Sequence, residues 1–133
     1  MRALLQTSLL ALTLTACQTS LEPDETIPTA TGSWSGLGAA GFTLFELELS
    51  ITETDFGRIS GTGRLTSPGR PTFNFVVRTG AHGHPDLLLS LATANFVDVA
   101  FSGRFVENHR IAGMINGSGF NNALVTLNRA QDP

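Results

Sequence analysis

His82-Gly83-His84-Pro85-Asp86 is the densest run of metal-ligating side chains in the chain. A His-x-His on a strand or turn can aim two imidazoles at one ion, and zinc takes four ligands or three plus water. Asp86 could complete a set, and His109 follows in a later turn beside Glu107. The same residues also make an ordinary solvated loop shaped by Gly83 and Pro85. That is the reading adopted: no metal and no other cofactor is expected. Hydrolysis or group transfer would need a nucleophile with a base and an orienter. The serines fall on polar faces, and the histidines are confined to two turns. No carboxylate falls on an apolar face, where burial would raise its pKa. No catalytic residue is therefore assigned. The glycines of "SGTG" and "GSG" lack the strand-to-helix setting of a phosphate loop.

The remaining reactive side chain is Cys17, the only cysteine. It ends an apolar run, "ALLQTSLLALTLTA", that follows the single early charge of Arg2. A basic start, a short apolar segment and small residues before a cut site describe a secretory signal peptide. The run is too short to span about 30 Å of hydrocarbon, which takes ~20 apolar residues. Leu14-Thr15-Ala16-Cys17 resembles the lipobox of bacterial lipoproteins. That resemblance implies that the thiol of Cys17 receives a diacylglycerol and that cleavage leaves Cys17 as the acylated N-terminus. Gln18, where an Asp would favour the inner membrane, implies the outer membrane in a two-membrane host, on its periplasmic or surface face. Two or more acyl chains hold a protein stably on a bilayer. With no second cysteine there is no internal disulfide, so the core must carry the fold.

These marks divide the chain into a leader over 1–16, a tether over 17–30, a domain over 31–130 and a short tail over 131–133. The tether "QTSLEPDETIPTA" has two prolines, three acids and no periodicity, and reads as flexible. The net charge is −3 with no lysine, and the arginines are scattered. Nothing resembles a basic stripe, so nucleic acid is excluded as a partner.

From Thr31 onward the period is two. Phe45, Leu47, Leu49 and Ile51 face one way, and Glu46, Glu48 and Ser50 the other. "RISGTGRL", "TFNFVVR", "DLLLSLA", "FVDVAFSGRF", "RIAGMIN" and "ALVTLNR" repeat the pattern. Val97, Val99, Phe101, Gly103 and Phe105 form one inward set. Turn residues separate the runs, which predicts antiparallel hairpins. With "TGSWSG" first, about eight strands result. Eight strands close into a small all-β up-and-down barrel and leave no unpaired edge; a two-sheet sandwich is the alternative. Charged residues on the outward face and apolar ones inside place such a barrel in water rather than across a membrane. The turn "TDFG" predicts Leu49 opposite Gly61 and Glu46 opposite Arg64. The matching later hairpin predicts Phe101 opposite Gly113.

Gly32-Ser33-Trp34 opening the first strand and Arg129 ending the last resemble the signature of the lipocalin and avidin superfamily. The resemblance implies that the guanidinium packs over the indole at the closed end, worth ~0.5–2 kcal/mol. One tryptophan and no tyrosine argue against a biotin site. The barrel is expected to be mostly filled, with no inward polar group besides Arg129. At most a shallow apolar pocket is expected under Phe42 and Phe120, whose loops would be the contact surface. The function expected is a lipid-anchored, non-catalytic binding or interaction module. The partner is the membrane through Cys17, together with an envelope protein or a small apolar ligand. A carrier of that ligand, or a purely structural envelope component, is the alternative.

Overall fold

The computed structural model describes residues 26–94 and 96–131. The leader, Cys17 and most of the tether lie outside the described residues. Eight strands follow one another: β1 (Gly32–Ala40), β2 (Thr43–Glu53), β3 (Ile59–Thr66), β4 (Phe73–Gly83), β5 (Asp86–Ala92), β6 (Val99–Glu107), β7 (Arg110–Gly117) and β8 (Phe120–Arg129). Each pairs antiparallel with the next, and β1 pairs with β8 to close the barrel. The described residues contain no helix long and apolar enough to cross a membrane.

Alternation fills the interior. Phe45, Leu47, Leu49 and Ile51 of β2, Leu87, Leu89 and Leu91 of β5, and Ala123, Val125 and Leu127 of β8 are all buried in one cluster. Fully burying one such large side chain contributes roughly 1.5–3 kcal/mol. Glycine sets two close approaches. Phe101 lies over Gly103 and Gly113, where an added Cβ would come within 2.7–2.8 Å of its ring. At the seam, a Cβ on Gly36 would sit 1.6 Å from the carbonyl oxygen of Thr126, so β1 and β8 meet only because that position is bare.

Register differs from expectation by two residues in both hairpins that the sequence aligned. Gly61 lies opposite Ile51, and Leu49 opposite Gly63. Glu48, not Glu46, faces Arg64, and the two form an ion pair. The cause is the turn. Thr54 N–H donates to the Arg58 carbonyl and Gly57 N–H to that of Thr54, which centres the hairpin on Phe56 rather than Asp55. In the later hairpin Phe101 faces Ile115, and Gly103 faces Gly113: the turn falls at Asn108 and His109, beyond the Glu107–Arg110 pair, and the irregularity between Phe105 and Glu107 takes back only one residue of that displacement. Val97, expected inside, precedes β6 and is exposed.

One bulge decides more than any of these. The β4–β5 register shifts between Val77 and Thr79. A bulge adds one residue and flips the pleat beyond it. Past Arg78, Gly80 and His82 therefore point inward, where Gly80 meets Ile59 and Leu89.

Candidate functional site

The strand directions place the chain entry, the β2–β3, β4–β5 and β6–β7 turns and the end of β8 at one end. Trp34 is buried there and lies in register with Arg129 across the seam. The Arg129 guanidinium stands 4.3 Å from the indole centroid. It donates to the carbonyl oxygens of Thr31, Thr29 (2.6 Å) and Asn108 (3.4 Å). Burial lowers the Arg129 pKa from its ordinary value, yet a guanidinium stays charged. The indole N–H donates to the carbonyl of Ala30 at 2.9 Å, and Phe105 packs edge-on against the ring at 5.6 Å. Gly32 opens β1 beneath this stack, its Cβ position 3.0 Å from the guanidinium. Residues 29–31, the last of the expected tether and the first of the domain, are thus held from two sides.

Glu53 supplies the second hold. Its carboxylate accepts from Ala30 N–H at 2.6 Å and from the Thr29 hydroxyl at 3.2 Å, while its own N–H donates to the Thr31 hydroxyl at 2.8 Å. His82 Nδ1 lies 2.9 Å from both carboxylate oxygens. An ionised carboxylate only accepts, so Nδ1 carries the proton. Burial by itself would raise the Glu53 carboxyl. The Ala30 amide, then His82 and Thr29, outweigh burial and hold it below its usual range. The sequence pattern passed over Glu53 and put His82, a metal candidate, in a solvated loop; His82 lies instead in β4 with its side chain buried. Glu53 is the next member of the inward series Phe45–Ile51, so the alternation could have found it. His82 could not be found that way, because the bulge reverses its face. The expected absence of inward polar groups other than Arg129 is corrected accordingly.

This pair has the partners of a catalytic dyad without its geometry. His82 Nε2 is buried and has no hydrogen-bond partner among the described residues. The ring is covered by Phe105 at 5.0 Å, with His84 at 5.8 Å. Among the described residues no hydroxyl or thiol hydrogen-bonds to Nε2. The arrangement cross-links the entering chain to β2 and β4. His84 is brought beside His82, but Asp86 pairs with Arg104 at 3.2 Å and His109 with Glu107 at 3.0 Å. Among the described residues no three His, Cys, Asp or Glu side chains converge as metal ligands.

The opposite end is apolar. Phe45 meets Phe120 edge-on at 5.5 Å, and Phe73 meets Phe96 at 5.4 Å. Between them a cavity of about 50 Å³ is lined by Phe73, Phe75, Phe96, Val99 and Phe120, with Thr93 and Ser118 at its polar edge. Phe120 lines it as expected. Phe42 does not: it sits in the turn beyond the last β1–β2 pair, Ala40–Thr43, and is fully exposed. A broader groove of about 620 Å³ runs outside the barrel, over Ser33, Ser50, Thr62 and the Glu48–Arg64 pair.

No family model matches the chain, nor does any curated protein or solved structure.

Proposed function

We propose that this chain is a lipid-anchored envelope protein whose barrel is a non-catalytic interaction module. Cys17 carries the acyl chains, and the loops at the end opposite the chain entry meet the partner. The observation that carries the reading is the filled interior. Small-molecule sites occupy roughly 300–1,000 Å³, whereas the apolar cavity at the mouth is about 50 Å³. A carrier of one apolar ligand is disfavoured on that ground, and binding is left to the outer surface and the loops. The clamp on residues 29–31 supports the orientation. It fixes where the chain leaves the barrel, so an anchor at Cys17 would turn Phe42, Phe96 and Phe120 away from the bilayer. Labelled palmitate should enter the wild-type chain and not Cys17→Ala. Native mass spectrometry of the detergent-extracted protein should give the acylated chain with nothing else retained. Equal labelling of both chains would remove the anchor, and a small molecule released only on denaturation would make the barrel a carrier.

A further inference from the structure

One nitrogen at the closed end takes no part in the clamp. His82 Nδ1 carries its proton toward the Glu53 carboxylate at 2.9 Å, so Nε2 keeps a bare lone pair. That atom is buried, in a side chain 2% exposed, and has no hydrogen-bond partner among the described residues. A buried acceptor without a partner is unfavourable and calls for an occupant. A neutral imidazole whose other nitrogen donates to a carboxylate is the form in which histidine holds a metal.

A second imidazole stands beside it. The bulge at Arg78 turns His82 inward, and the chain then reverses through His84 and Pro85, beyond the Gly83–Asp86 pair. Both sides of the reversal are pinned: His82 N–H donates to the Gly57 carbonyl at 2.7 Å, and the Pro85 carbonyl accepts from Phe105 N–H at 2.8 Å. The His84 ring comes to 5.8 Å from that of His82, and the two rings pack on Phe105 at 5.7 and 5.0 Å. Two imidazoles on one ion, with metal–nitrogen bonds of ~2.0–2.1 Å, have centroids up to roughly 6 Å apart. Their planes turn freely about those bonds, so the steep angle between the rings is no obstacle. His84 is exposed, so its ring can turn to meet an ion that enters past it.

The donor set selects the ion. Zinc takes four ligands, or three plus water. Asp86 is engaged with Arg104 and His109 with Glu107, and no third ligand converges among the described residues. Two neutral nitrogens suit a monovalent d10 ion, Cu(I) or its redox-inert analogue Ag(I), which accepts two ligands in a near-linear array and binds imidazole. Charge agrees with this. One carboxylate, that of Glu53, stands behind His82 and balances a single positive charge, whereas a divalent ion would leave a buried excess. We propose that His82 Nε2 and one ring nitrogen of His84 together bind a monovalent copper ion, with Glu53 as the positioning residue behind His82. Neither the lipid anchor nor the loop surface is needed for it.

The test is titration of the full chain carrying Cys17→Ala, which removes the competing thiol, with silver nitrate in chloride-free buffer. Long-range proton–nitrogen correlation spectra follow each imidazole nitrogen. One equivalent of silver should move His82 Nε2 and one nitrogen of His84 and leave His109 in place. Cu(I), kept reduced by ascorbate, should move the same nitrogens. Glu53→Gln, with the barrel checked by circular dichroism, should weaken binding by about 10–100-fold and let His82 sample the Nε2–H tautomer in the same spectra. His84→Ala, in the exposed turn, removes a ligand outright and should weaken binding by more than that. Zinc should bind more weakly than silver. Saturation that leaves His82 Nε2 unmoved, as for a lone pair held only by water, would overturn the proposal. So would an affinity indifferent to His84→Ala, or zinc bound more tightly than silver.

Discussion

Glu53 is the residue on which the closed end converges. It binds Thr29, Ala30 and Thr31 on the entering chain and His82 on β4. Its folded pKa lies below the ordinary glutamate value. A carboxyl depressed by folding contributes stability that is present above its unfolded pKa and lost as pH falls through its folded pKa. Chemical denaturation across acid pH should therefore show wild-type stability falling below the ordinary glutamate range. Glu53→Gln should start less stable at neutral pH, and its loss over that window should be smaller. Parallel curves for the two proteins would assign the acid sensitivity elsewhere. Trp34 acts on the same segment through its indole N–H. Trp34→Phe keeps most of the buried ring but strands the Ala30 carbonyl, which should cost about 1–3 kcal/mol in urea unfolding.

At the scale of elements, the barrel depends on one seam and one bulge. β1 and β8 are remote in sequence, and their approach leaves no room for a side chain at Gly36. The clash there is with backbone, which cannot rotate away as a flexible side chain would. Gly36→Ala should destabilise by more than the 1–3 kcal/mol of ordinary overpacking, enough to lower soluble yield. The contrasting substitution is Gly41→Ala, in an open turn with φ +62° and nothing near its Cβ position. It should cost only the backbone strain of an alanine at positive φ, of order 1 kcal/mol. Equal melting temperatures for the two variants would mean that the seam is looser than its geometry. The bulge at Arg78 matters differently. It leaves the fold intact but chooses which residues of β4 look inward, and so creates the His82–Glu53 contact.

The whole molecule is one closed ring of hydrogen-bonded strands around one core. Such a ring has no half that can remain closed when another part opens. Trp34 is the only tryptophan and sits at the closed end. Its fluorescence should report the same urea midpoint as far-UV circular dichroism, which reports all eight strands. Separate midpoints would mean that the closed end opens alone. That would detach residues 29–31 from the barrel and loosen the link to the proposed anchor.

The sequence by itself determined the fold class, the number of strands and most of the inward residues. A period of two, broken by turn residues, leaves an apolar face that only a second sheet or a closed barrel can bury. Gly32, Trp34 and Arg129 were brought out by a resemblance and not by the alternation, and closing β1 against β8 sets Trp34 opposite Arg129. The alternation did not determine the registers. Those depend on which backbone groups bond within a turn, as with Thr54 and Arg58, and a shift of two leaves the in–out pattern unchanged. His82 on the inside depends on a bulge that no alternation encodes. The nearness of the exposed Leu37 and Leu44, on the β1–β2 hairpin, to Met114 and Leu124, on the β7–β8 hairpin, was equally hidden: the two hairpins are remote in the chain, and each residue alone is an ordinary surface residue. Only closing β1 against β8 sets them side by side.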